Sequence, residues 1–273
     1  MSKTDRVGNY HLKHFSKERR NITLVVREGW LKHTINSNIE VDVTDAKKMI
    51  KKIKDETGYK VSFTAWIIKC VSESISIHKE LNSYRQGRRK IVIFDDVDVG
   101  IPVEREINDE KVPMGHVIRK TNEKTVKQIT DEIRSVQKEK IKNSNQVLGG
   151  NLTSFERFIL NTPLFFKRLF LDITRRNGIL KKKHMGTVGV TAIGMKGNFP
   201  GWAIPLGGIT SVTVVVSSIS KKPRVLDDKI VPRDILNLTI SVDHDIVDGG
   251  PLARFIETLS DKIKNCYGLE DFL

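Results

Sequence analysis

Residues 236–263 constrain the fold more than any other stretch, because they join a strand pattern to a helix pattern through a short polar loop. Leu236, Leu238, Ile240 and Val242 alternate with Asn237, Thr239 and Ser241, the period-two rhythm of a strand with one apolar face. Leu252, Phe255, Ile256, Leu259 and Ile263 then recur at helical spacing. The connecting run is Asp243-His-Asp-Ile-Val-Asp-Gly-Gly-Pro251. His244 therefore falls where a strand hands over to a helix, a place that holds a reactive side chain on a rigid base.

Histidine is the side chain best suited to take a proton from a thiol or hydroxyl near neutral pH. Such a base also needs a fixed ring. Asp248, four residues on, has two readings. It caps the helix beginning near Gly250 or Pro251, or it pairs with a distant cation and locks the loop. Gly249 and Gly250 allow close backbone approach to a ligand. The bland alternative is an ordinary loop histidine beside a helix cap, since short patterns of this kind arise by chance.

The surrounding sequence resembles a known family. Residues 234–255 are similar to the active-site segment of the acyltransferase core subunit of 2-oxo acid dehydrogenase complexes, whose fold and histidine motif chloramphenicol acetyltransferase shares. Ile39-Glu-Val-Asp-Val-Thr44 resembles an early strand entering the first long helix. Residues 61–82, with Lys69 and Glu80-Leu-Asn82, resemble the next helix. Asp98-Val-Gly-Ile-Pro-Val103 resembles a central strand, and residues 112–120 and 123–142 a strand and helix after it. Residues 186–194 and 205–218 resemble the two strands before the histidine. The likeness covers roughly residues 15–265.

The resemblance implies that His244 is a general base that deprotonates the thiol of CoA or of a dihydrolipoyl group. It implies that Asp248 has a mainly structural role, held by an arginine near the N-terminus, Arg19 or Arg20 here. It implies that the hydroxyl of Thr191 donates to the oxyanion of a tetrahedral intermediate. One such donor contributes roughly 2.7–4 kcal/mol to transition-state stabilisation in a well-studied case. Without the resemblance, Thr191 reads as a strand threonine. Gly249 and Ser241 are expected to line the substrate site. Asp245 departs from the pattern, because the core subunits usually carry arginine there. A carboxylate beside the base is expected to raise its pKa or repel an acidic acceptor. No lipoyl-bearing hairpin fits the short N-terminal stretch. The expected acceptor is then a lipoyl domain on another chain, or a different thiol or hydroxyl.

A chain of 273 residues with no Pro/Gly/Ser linker and no internal repeat reads as one domain. No run of about 18 apolar residues marks a membrane span, and the first residues lack a secretory signal. Cys70 and Cys266 lack metal-ligand spacing and read as reduced thiols of a cytoplasmic protein. The net charge of +14 suits anionic partners. Nucleic acid is not among those expected, for the chain has no helix-turn-helix, zinc-finger or RNP signature. Acyl-CoA is expected as a substrate, with no metal and no redox nucleotide.

Strands at 34–43, 90–105, 111–119, 187–193, 209–219 and 234–243, with helices at 44–57, 62–79, 123–142 and 250–265, lack a regular βαβ rhythm. They predict an α+β fold, which the resemblance makes a mixed sheet flanked by helices of the chloramphenicol acetyltransferase type. An aromatic and basic insertion at about 150–184 interrupts the likeness. Phe155, Phe158, Phe165, Phe166 and Phe170 alternate there with Arg157, Lys167, Arg168, Arg175 and Arg176, around Pro163. The favoured reading is a helix pair packed on its own domain or a neighbouring subunit; the other is an interfacial helix on an anionic membrane. Larger relatives with two such domains place their site between them. One domain with one motif therefore implies a homotrimer, His244 of one subunit facing Thr191 of the next. Leu269, Phe272 and Leu273 are candidates for further assembly. A CoA-dependent acyltransferase is the function these expectations converge on. A non-catalytic scaffold or regulatory oligomer of the same fold is the alternative.

Overall fold

The computed structural model describes residues 8–15, 17–107, 110–138, 162–194, 197, 199–206 and 208–272. Helix α1 spans Lys17–Trp30, and strand β1 Thr34–Asp42. Helices α2 (Thr44–Thr57) and α3 (Phe63–Ile77) follow. Gly58 ends α2 in the left-handed region at φ 70°, its N–H donating to Lys54 O at 3.0 Å. Ser62 caps α3 by accepting from the Ala65 amide at 3.3 Å. Strands β2 (Ser83–Gln86) and β3 (Lys90–Ile93) make a small separate hairpin.

The main sheet has six strands in the order β1-β8-β7-β6-β4-β5. The others are β4 (Val99–Ile107), β5 (Glu110–Ile118), β6 (Val188–Ala192), β7 (Val212–Leu226) and β8 (Lys229–Asp243). β6 runs parallel to both β4 and β7, and the remaining pairings are antiparallel. Helices α4 (Val126–Lys138), α5 (Leu164–Thr174), α6 (Gly178–Met185) and α7 (Gly249–Lys264) complete the described set. The result is the expected α+β fold with a mixed sheet flanked by helices.

Strand alternation gives the sheet two unlike faces. Val188, Val190, Val212, Val214, Val216, Leu236, Leu238, Ile240 and Val242 form one apolar core with α2, α3, α4 and α7. Ten residues of α3 are buried, with Trp66 and Ile68 fully so, and Phe255 anchors α7 at 0% exposure. The opposite face is polar. Thr239 donates to Asn38 Oδ1 at 2.9 Å, and Asn237 donates to Gly201 O at 3.1 Å. Thr191 belongs to this polar face, because its neighbours Val190 and Ala192 alternate with it along β6.

Several expectations needed correction. α1 and β2 were not anticipated. β7 and β8 run well past 219 and before 234, as a hairpin arm beyond the core. Pro223 faces Pro232 in that arm, and two prolines read locally as breaks. Asp227 and Asp228, at φ 49° and 60°, make its tight turn.

In the insertion, Phe155, Arg157, Phe158, Ile159 and Leu160 lie outside the described residues, as does Leu273. On α5, four of the described apolar side chains are exposed in the single chain. Phe165, Phe166, Leu169 and Ile173 are 50–72% exposed, whereas Lys167 is 7% exposed. No described helix is long and apolar enough to cross a membrane.

Candidate active site

β8 ends at Asp243 and α7 begins at Gly249, so His244 lies on the short turn between them, as its sequence context required. The turn is built around Asp243. Its carbonyl accepts from the amides of Ile246 and Val247, both at 3.0 Å, and its Oδ1 from the Asp245 amide at 3.3 Å. The His244 amide donates to His33 O at 2.7 Å, which extends the β1–β8 ladder by one residue. The His244 side chain is 43% exposed, with Nδ1 3.6 Å from Asp248 Oδ1. Its Nε2 meets no partner among the described residues.

Asp248 occupies the N-cap position of α7 in extended conformation but makes no side-chain cap hydrogen bond. Among the described contacts, Asp248 is paired with neither Arg19 nor Arg20. Asp248 is 87% exposed, and the group it faces is His244 in its own loop. Both arginine side chains are exposed on α1. The described contact of Asp248 is thus the loop-internal one to His244.

Asp245 does not turn toward His244. Its Oδ1 lies 2.8 Å from His33 Nδ1, and that bond holds the His33 pKa above its ordinary value, reinforced by the Asp245 charge. The Asp245 carboxylate thus engages a different imidazole, that of His33.

Gly249, the first residue of α7, is exposed with open space around it. Ser241 is not open to a ligand within the chain. It is 2% exposed and donates to Asn36 Oδ1, tying β8 to β1.

Thr191 is far from His244 in the same chain. It pairs in register with Val215, which pairs with Thr239, five residues before His244. The offset is roughly 16 Å along the strands and two strand spacings sideways. One subunit therefore does not bring the two side chains together.

Beneath the histidine turn lies a buried charge cluster that no short motif announced. Lys32 Nζ is 3.7 Å from Asp243 Oδ2 and donates to Thr210 O at 2.5 Å. Burial lowers the Lys32 pKa to about 8, against the opposing pull of Asp243. Lys181, from α6, is also lowered by burial, with Asp243 again opposing, and it stacks over Tyr84 at 5.2 Å. Tyr84 donates to Gly186 O at 2.8 Å, and burial raises its pKa. Gly186 has φ 70°, and an added Cβ would sit 2.3 Å from Asp98 O, so glycine is required where α6 turns into β6. Lys32 and His33 became visible only through pairing, since Thr34 lies opposite Asp243.

Residues 16–153 and 172–269 match the family of 2-oxoacid dehydrogenases acyltransferase catalytic domains. The unmatched stretch, 154–171, is narrower than the insertion read from sequence, and α6 falls within the matched part. The lipoamide acyltransferase component of the branched-chain α-keto acid dehydrogenase complex of Bacillus subtilis is 29% identical over 224 residues, 80% of this chain and 43% of that protein. The dihydrolipoyllysine-residue acetyltransferase component of the pyruvate dehydrogenase complex of Mycoplasma capricolum is 24% identical, covering 86% of this chain and 48% of that protein. The chain thus spans less than half the length of these relatives. Among solved structures, a probable dihydrolipoamide acetyltransferase from Listeria monocytogenes superposes with a TM-score of 0.68 at 22% identity, over 95% of this chain and 96% of that one. The dihydrolipoamide acetyltransferase of Azotobacter vinelandii superposes at 0.70 with 16% identity, over 99% and 98%. The fold is that of these acetyltransferases, and the two-part match across both halves of the sheet shows that the chain belongs to the 2-oxoacid dehydrogenase acyltransferase catalytic-domain family.

Proposed function

We propose that the chain is a CoA-dependent acyltransferase that moves an acyl group between CoA and a dihydrolipoyl-type thiol or a hydroxyl acceptor. The observation that carries this reading is the exposed His244 ring, with Nδ1 toward Asp248 and Nε2 without a partner among the described residues. Nε2 takes the acceptor's proton as its sulfur or oxygen attacks the thioester carbonyl. The tetrahedral intermediate places its negative charge on the former carbonyl oxygen. Collapse expels the CoA thiolate, which recovers the proton from the imidazolium. Asp248 Oδ1, 3.6 Å from Nδ1, orients the ring.

Thr191 donates to the oxyanion from a neighbouring copy of the chain, because its offset from His244 leaves a single subunit's site incomplete. We infer a homotrimer, a ring in which each polar sheet face meets the next subunit's histidine turn. The acyl carrier in this reading is a lipoyl domain. The Azotobacter structure was determined to examine a serine, a histidine and an asparagine in that enzyme's mechanism, the last two four positions apart. His244 and Asp248 have the same spacing, which supports their pairing here.

Mixed oligomers test both the base and the shared site. His244→Ala and Thr191→Ala chains are each expected to lose ~10²–10³-fold in kcat. Co-assembled, they regain part of the wild-type rate, since some interfaces then unite an intact His244 with an intact Thr191. Full activity of His244→Ala alone, with its oligomeric state preserved, would sink the mechanism. Absence of any acyl-CoA turnover by the wild-type chain across a thiol and hydroxyl panel favours the scaffold reading instead.

A further inference from the structure

The turn between α1 and β1 grips three consecutive residues at the head of the histidine loop. Lys32 Nζ lies 3.7 Å from Asp243 Oδ2, each side chain 11% exposed. His33 accepts the His244 amide at 2.7 Å through its carbonyl, and its ring meets Asp245 at 2.8 Å. Asp243, His244 and Asp245 are thus each met by Lys32 or His33. Lys32 also donates to Thr210 O at 2.5 Å, which anchors the grip to the segment entering β7.

We propose that the Lys32–His33 dipeptide is a positioning element that sets the direction in which the His244 ring leaves the sheet. It touches no reacting atom, and the proposal rests on His244 being the general base. Asp243 organises the turn's backbone from within, and Gly249 and Gly250 behind it add no side chain to hold it against the sheet. A general base displaced by about 1 Å loses on the order of 10² in rate. The backbone bond from His244 to His33 fixes one point, and the two flanking charge pairs fix the turn on either side. Of these, the buried Lys32–Asp243 pair has the greater leverage, because removing one partner leaves a buried charge uncompensated. The exposed His33–Asp245 pair, with side chains 81% and 45% exposed, is screened and individually weak. Asp245 gives His33 Nδ1 an acceptor at 2.8 Å, which an arginine there could not supply.

The grip has a pH signature. The charged groups facing Lys32 are Asp243 and Asp245, which favour its charge, and Lys181, which opposes it. Burial outweighs them and places its pKa at about 8, against an ordinary 10.5. Lys32 therefore loses its proton in mild base and releases Asp243. Stability moves the other way. A lysine with a folded pKa below its unfolded value destabilises the fold most below about pH 8, and this penalty is relieved as pH climbs toward 10.5. Activity and stability are thus expected to part company above about pH 8.

The test uses full-length chains with acyl-CoA and dihydrolipoamide, comparing kcat and KM between about pH 6 and 10 with urea unfolding over the same range. Lys32→Met is expected to lower kcat ~10–100-fold, leave KM for acyl-CoA within about twofold, and remove the alkaline limb near pH 8. Lys32→Arg restores the rate and shifts that limb beyond the range, since arginine keeps its charge. His33→Gln and Asp245→Asn each lower kcat severalfold, and together no further than either alone. Both are exposed substitutions, so they carry the test if Lys32→Met does not fold. A folded Lys32→Met with wild-type kcat and pH profile overturns the proposal, as does wild-type kcat in both exposed variants. A fully active His244→Ala overturns the general-base reading instead. An inactive His244→Ala beside wild-type-like Lys32→Met overturns the grip alone.

Discussion

Asp248 shows how one residue's role is decided by what stands opposite it. Its carboxylate is 87% exposed, makes no cap bond, and faces His244 Nδ1 at 3.6 Å. Asparagine presents the same acceptor to an Nδ1–H. Asp248→Asn is therefore expected to keep kcat within severalfold of wild type, whereas Asp248→Leu lowers it ~10-fold or more. Both unfold in urea within about 0.5 kcal/mol of wild type, as exposed substitutions do. His244 and Asp248 were legible in sequence as a pair because strand and helix rhythms bracket them. The partner of Asp248 was not, because four-residue spacing in a turn does not say which way a carboxylate points. Lys32 and His33 left no local trace at all, being two polar residues before a strand whose pairing decides their neighbours.

At the scale of elements, the β7–β8 arm depends on ion pairs that the core does not need. Hydrogen bonds from Lys222 and then Arg224 hold the Glu40 pKa below its usual value. Burial opposes ionisation of Asp42, but Arg233, at 2.6 Å, and hydrogen bonds from Thr44 together outweigh it; Arg233 also lowers Asp45, at 2.6 Å. Carboxylates with lowered folded pKa values contribute stability that is complete above about pH 4.5 and lost as pH falls through those values. Pepsin at about pH 3 is expected to cut the arm, between 219 and 236, before it cuts the core strands, and Arg233→Gln makes that cleavage faster.

Among the described side chains of helix α5, Lys167 is buried while Phe165, Phe166, Leu169 and Ile173 are exposed. Phe165→Ser with Leu169→Ser is expected to change stability of the isolated chain by under about 1 kcal/mol. Phe255→Ala, at 0% exposure, costs about 3–5 kcal/mol by the same urea measurement. The aromatic content of α5 was plain in the sequence. Its outward direction was not, because periodicity marks an apolar arc without saying what it faces.

For the whole molecule, the sheet separates chemistry from stability. Its apolar face builds the core with four helices, and its polar face carries Thr191, Thr239 and Asn38 in one row across four strands, with Val215 between Thr191 and Thr239. The proposed reaction needs two such surfaces, so specific activity is expected to fall on dilution in step with loss of the oligomer by sedimentation. The local alternation of apolar residues determined most helices and the central strands, since each depends on neighbours within a few positions. It also determined the position of His244, at the seam between two such patterns. The tertiary structure alone decided that β1 lies against β8, which places Lys32 and His33 under the histidine turn. It alone decided that Thr191 lies too far along the sheet to serve His244 of its own chain. The reason is physical: strand order and register arise from packing one apolar face against helices far apart in sequence, and no local pattern records which strands become neighbours.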